Sequence, residues 1–172
     1  LRWGIGSGSS QTDIGWNIDD VEILASGTVD TMPPLATLNV ANITSSGSPS
    51  HSLTVNYTDN TAVNVASLGA EDLLVTGPNN YSNLVDFVSV DTLTDGTPRT
   101  GTYSIPAPGG AWHATNNGSY QVTLLDGEVL DQFNNAAPQS VLGSFTVSIP
   151  LSQQAILVSA PTLTVPEGGT VE

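Results

Sequence analysis

The sequence predicts an all-β protein, and three observations carry that expectation. No stretch of ten or more residues sustains a 3.6-residue apolar period, so an amphipathic helix has no face to bury. Alternation of apolar and polar residues with period two recurs at short, regular spacing. Clusters of Gly, Pro, Asn and Asp punctuate these runs and supply the turns between strands. Short strands without helices to make parallel crossovers fit a seven-stranded Greek-key immunoglobulin-like sandwich with extra flanking strands.

Residues 1–29 read as the C-terminal strands of a preceding domain, and Met32-Pro33-Pro34 breaks the chain after them. Residues 30–150 form the sandwich, with strands expected at 35–43, 52–57, 72–76, 84–91, 100–105, 119–125 and 143–149. Residues 151–172 read as a linker and the first strand of a following repeat. The inward faces are the clearest part. Leu53, Val55 and Tyr57 share one face of the second strand, Tyr120, Val122 and Leu124 one face of the sixth, and Phe145, Val147 and Ile149 one face of the seventh. The fourth strand breaks alternation, since Val85 and Phe87 are followed by Val88 and Val90. A bulge near Phe87 accounts for it. A single helical turn fits residues 65–70, and the Asp59 carboxylate is placed to cap a turn over 63–68.

Asn116-Asn117-Gly118-Ser119-Tyr120 opens the sixth strand as N-x-G-x-Y, the pattern of a corner in which a Tyr hydroxyl bonds back to the preceding backbone. Trp112, just upstream, reads as a plug beneath that corner rather than an exposed platform for stacking sugars.

Composition excludes several function classes. Lys is absent and Arg2 and Arg99 are the only fixed cations against sixteen carboxylates, giving a formal net charge of −14. Phosphate binding needs Lys and Arg to displace counterions, so nucleic acid is not an expected partner, and anionic lipid headgroups are disfavoured for the same reason. No apolar run of the roughly 20 residues needed to insert in a membrane is present. The absence of Cys excludes disulfides and thiolate metal sites. No initiator Met or signal peptide is visible, so any export signal is expected upstream of Leu1.

The stretches VDTMPPLATL, LTVNYTDNTAVNVASLGAEDLLVTGPNNY, TPRTGTYSIPAPGGAW, NNGSYQVTL and LGSFTVSI occur in that succession over residues 29–150. In this they resemble a bacterial Ig-like repeat of large secreted or surface multidomain proteins. RWGIGSGSS and GWNIDDVEI resemble the end of a jelly-roll domain of the MAM/laminin-G type, and VPEGGTVE the first strand of another Ig-like or Calx-β repeat. The resemblance implies extracellular placement, as a secreted or cell-surface protein, with no catalysis of its own. Such repeats often carry an Asp followed by Gly-Asn before the last strand, where this chain has Asn134-Asn135.

Calcium is the one cofactor the side-chain chemistry suggests, because it takes six to eight hard oxygen ligands. Asp30, Asp59, Asp126 and Asp131 are the candidate ligands, the expectation being that Asp30 meets loops from the same pole. Asp19, Asp20 and Glu22 form a second acidic cluster. A complete D-x-D-x-D-G loop is missing, and Asp and Asn are also ordinary turn residues. For catalysis there is no G-x-S-x-G, no H-E-x-x-H and no Cys nucleophile, and only His51 and His113 offer imidazole bases. The sequons at Asn42, Asn56 and Asn117 carry no weight in so Asn-rich a chain.

The leading functional expectation is therefore a non-catalytic extracellular spacer, adhesion or accessory module, stiffened by calcium, whose partners are neighbouring modules of the same polypeptide. One alternative is a filament subunit that joins copies of itself head to tail by strand addition through residues 155–165. Another is a carbohydrate-binding module of a secreted hydrolase, with cell-surface or polysaccharide ligands.

Overall fold

The computed structural model describes residues 29–151. These residues form eight strands: β1 (Leu35–Val40), β2 (Ser50–Thr58), β3 (Leu73–Gly77), β4 (Tyr81–Leu84), β5 (Asp86–Val90), β6 (Arg99–Pro106), β7 (Gly118–Leu124) and β8 (Ser140–Val147). One sheet has the order β1-β2-β6-β5 and the other β4-β3-β7-β8. All paired strands are antiparallel. Among the described residues there is no α-helix, and none is long and apolar enough to cross a membrane. The expected flanking strands, and the Asp19, Asp20 and Glu22 cluster, lie outside the described residues.

Both sheets turn their alternating apolar positions onto a single core, which makes the arrangement sandwich-like. The three inward triplets read from β2, β7 and the last strand are all buried. Their period of two is imposed by the pleat itself, so it survives every detail of the loops.

The strand count corrects one expectation. The segment 84–91 is not one strand but two, divided at Val85. β4 belongs to the second sheet and β5 to the first, and the chain crosses between them at Val85, which is buried and donates its N–H to Leu73 O at 3.2 Å. The register shift between Phe87 and Ser89 is the expected bulge, and its extra residue, Val88, faces solvent. The expected helical turn is a 3₁₀ turn at Val65–Ser67. Its cap is not Asp59. Asn64 accepts from Ala66 N–H at 3.1 Å, and the Val65 N–H goes to Asp95 Oδ1 at 2.9 Å. Asp59 lies too far upstream and holds its own turn instead, accepting from the N–H groups of Thr61 at 2.8 Å and Ala62 at 3.1 Å.

Pairing defines two poles. At one end Leu35 faces Thr58, and Val63 of the β2–β3 loop bridges both Gly96 and Asp131. At the other, Ser50 faces Pro106, Gly118 faces Val147, and Gly47 N–H donates to Trp112 O at 2.9 Å. The chain enters the sandwich at the first pole and leaves it at the second.

The corner before β7 forms as its motif predicts. The Tyr120 hydroxyl donates to Asn116 O at 2.9 Å, and Asn116 Oδ1 accepts from His113 N–H at 2.8 Å. Gly118 has φ +147°, and a Cβ there would come within 2.4 Å of Pro78 Cγ, so glycine is required on both counts. Trp112 sits beneath, fully buried and edge-on to Tyr120 with ring centroids 5.3 Å apart. Replacing Tyr120 by Phe is expected to cost about 1 kcal/mol, since one partly buried carbonyl loses its donor while the ring packing stays. Chemical denaturation of the two proteins would measure it, and equal midpoints would show that the corner bond contributes nothing.

Candidate functional site

Three loops remote in sequence deliver carboxylates to the pole at which the chain enters. Asp30 precedes β1, Asp59 follows β2, and Asp131 lies between β7 and β8. Each offers a carboxylate oxygen, and these oxygens lie within 4.8 Å of one another. Asp131 is completely buried and Asp30 nearly so. Asp126 is not a member of this group. It holds a turn of the β7–β8 connection, its Oδ1 accepting from Gln139 N–H at 3.3 Å.

Local chemistry explains how each loop presents its group. Asp131 Oδ1 accepts from the N–H groups of Phe133 at 2.8 Å and Asn135 at 2.7 Å, which folds residues 131–135 into a tight turn. Asn134 takes φ +64° within it, the left-handed conformation that Asn tolerates. Asn135 then uses its side-chain amide twice, donating to Asp131 Oδ2 at 2.6 Å and to Asp30 O at 3.0 Å. The Asn135 amide thus ties the incoming chain to the β7–β8 loop.

Asp30 accepts from Met32 N–H at 3.0 Å and from the Thr61 hydroxyl at 2.7 Å. The Met32 N–H, with the Thr61 hydroxyl and the Asn60 side chain, holds its carboxyl below the ordinary Asp range. Thr61 Oγ1 also lies 2.8 Å from Asp59 Oδ1. A hydroxyl has one proton, so it can serve only one of the two carboxylates at a time. Asp59 Oδ2 is buried and has no hydrogen-bond partner.

Every group that these three carboxylates bond is neutral. Arg99, the only Lys or Arg among the described residues, gives its guanidinium to the carbonyls of Thr94, Pro98 and Asp95. The arrangement is therefore short of positive charge among its bonded partners.

Three other sequence candidates, His51, Asn42 and Asn117, take structural roles. His51 Nε2 is 2.7 Å from Ala41 O, and its ring lies against Phe145. Asn42 Oδ1 accepts from Thr146 N–H, while Asn117 makes two bonds to the backbone of Ile149. Trp112 is a plug as expected and has no face open for a sugar.

One buried ionisable group carries no recognisable sequence signal. Asp72 is 1% exposed, and its Oδ2 accepts from the Tyr103 hydroxyl at 2.5 Å and from Gly69 N–H at 3.0 Å. The Tyr57 and Tyr103 hydroxyls are 2.7 Å apart, which extends the chain to three buried groups. Burial pushes the Asp72 carboxyl up to about 6, against the opposing effect of the Tyr103 and Gly69 hydrogen bonds.

Comparison of the sequence with family models finds no match, and comparison with curated proteins finds no relative.

Proposed function

We propose that this chain is a non-catalytic, extracellular Ig-like module that connects neighbouring parts of a larger secreted or surface protein and carries tension between them. The observation that carries the reading is the placement of its two connections. The chain enters at one pole and leaves at the other, so a pull along the polypeptide runs the length of the sandwich.

The strand order supports the Ig-like reading. β1-β2-β6-β5 against β4-β3-β7-β8 corresponds to the A-B-E-D and C′-C-F-G layers of such sandwiches. The succession of motifs over residues 29–150 and the acidic, Cys-free composition favour a secreted bacterial repeat.

Tension meets a particular set of bonds. Beyond β1 the chain passes to the other sheet, where Ile43 pairs in parallel with Val147. Ile43 N–H donates to Thr146 O at 2.9 Å and Ser148 N–H to Ile43 O at 2.8 Å. Because the two segments run the same way and are pulled from opposite ends, these bonds are loaded in shear and must break together. Ile43→Pro removes the first donor. Single-molecule stretching of the chain between its ends is expected to give a lower unfolding force for this variant. Tyr120→Phe, which keeps both of these backbone bonds, is expected to leave the force close to wild type. An unchanged force in Ile43→Pro would remove the tension-carrying role.

A further inference from the structure

We propose that Asp30, Asp59 and Asp131 bind one calcium ion, and that the ion locks the incoming segment onto the two loops of that pole. Acidic residues gathered in turns do not alone make a site. Here a second feature points to a ligand: the Asp59 carboxylate, one of the three, has its Oδ2 buried with no donor. The Thr61 hydroxyl proton is placed for Asp30 Oδ2 or Asp59 Oδ1, and Asp59 Oδ1 already accepts from the Thr61 and Ala62 N–H groups. A cation among these oxygens supplies the partner that Asp59 Oδ2 lacks.

The ligand chemistry selects the ion. Oxygen is the only donor atom the three residues offer, with Thr61 Oγ1 as a neutral oxygen alongside, which favours a hard divalent cation over zinc or copper. Calcium–oxygen distances of 2.3–2.6 Å give a coordination shell about 5 Å across, which accommodates a spread of 4.8 Å. Magnesium, at 2.0–2.1 Å, gives a shell about 4 Å across and would need the loops to close further.

The mechanical consequence follows from the positions. Asp30 stands five residues before β1 begins, and the Asn135 amide already holds its carbonyl. An ion shared with Asp59 and Asp131 adds a second tie at the same residue, fixing the direction in which the chain arrives. This site does not depend on the connector role, because it makes claims only about ion binding and local order.

The test is calorimetric titration of the full chain with calcium chloride after EDTA treatment, together with hydrogen exchange read by mass spectrometry. Binding of one ion is expected. With free calcium about a hundredfold above Kd, amides at 30–32, 59–62 and 131–135 should exchange up to about 100-fold more slowly. Tm should rise by roughly 5–10 °C over the EDTA-treated protein. Asp59→Asn keeps an oxygen for the Thr61 and Ala62 N–H groups and replaces the orphaned oxygen by an amide. It should lose the protection and the Tm rise, while Asp126→Asn keeps both. Three results each overturn the proposal: no heat and no protection in wild type, protection retained in Asp59→Asn, or protection lost only in Asp126→Asn. The wild-type titration decides the matter even if Asp59→Asn fails to fold. A protein that binds calcium as described yet shows no effect of Ile43→Pro on unfolding force would keep this site and lose the connector role.

Discussion

Trp112→Ala is expected to destabilise the domain by about 3–5 kcal/mol, the cost of emptying a large aromatic site that cannot collapse. The ring is fully buried among Tyr120, Tyr81 and Phe145, with centroid separations of 5.3, 6.4 and 6.3 Å. Its backbone is equally committed, since its N–H donates to Ser48 O and its carbonyl accepts from Gly47 N–H, both at 2.9 Å. These bonds hold the loop in place around the cavity that truncation would leave. Against a typical domain stability of about 5–15 kcal/mol, the loss is a large fraction of the whole. Trp112→Phe provides the contrast. The indole Nε1–H is buried without a partner, and an orphaned donor costs about 1–3 kcal/mol. Phe gives up part of the ring volume but removes that donor, so its net cost should be near 1 kcal/mol. Equilibrium denaturation followed by far-UV circular dichroism would measure both. Equal losses for Ala and Phe would mean that shape filling is not what Trp112 contributes.

The features legible in the sequence are those set by geometry that every strand shares. Tyr120, Val122 and Leu124 could be assigned to one face because the pleat alone dictates it, and the N-x-G-x-Y corner could be read because its donor, acceptor and glycine fall within five residues. β4 could not be read in the same way. YSNL turns only Tyr81 inward and exposes the other three residues, so it shows no alternation, and Leu84-Val85 runs on into the apolar pattern of β5, which belongs to the other sheet.

The acidic pole lies between these cases. Residue type marked Asp30, Asp59, Asp126 and Asp131 equally, but proximity depends on three loops meeting. Asp131 reaches the pole because the 131–135 turn and the Val63 bridge carry it there, while Asp126 is used up in a turn of its own. Asn134-Asn135 reads in the sequence only as a polar turn; that it holds a left-handed Asn followed by a two-way amide clamp is a property of the fold. Asp72 had no sequence signal at all. Following Glu71 at the start of a strand, it reads as a surface carboxylate, and only the arrival of Tyr103 from the other sheet buries it.

That burial gives the second large effect, a pH dependence that should vanish in Asp72→Asn. The folded protein raises the Asp72 pKa from 3.8 to about 6, so between these values it binds more protons at this site than the unfolded chain does. Stability from this group is therefore complete below about pH 4 and declines as pH rises to about 6, beyond which no more is lost. A shift of this size corresponds to on the order of 2–3 kcal/mol. Asn supplies an oxygen to the Tyr103 hydroxyl and the Gly69 N–H without acquiring charge, so the hydrogen-bonded chain from Tyr57 can persist. At pH 8 Asp72→Asn should be the more stable protein by on the order of 2 kcal/mol, and at pH 4 the advantage should be gone. Other carboxylates titrate over the same range, but they do so in both proteins, so the difference between the two stability–pH curves isolates this one. Urea denaturation at half-unit intervals from pH 4 to pH 8 would trace it. Parallel curves would mean that Asp72 is solvated in the folded protein and that the Tyr57–Tyr103–Asp72 chain does not close across the sheets.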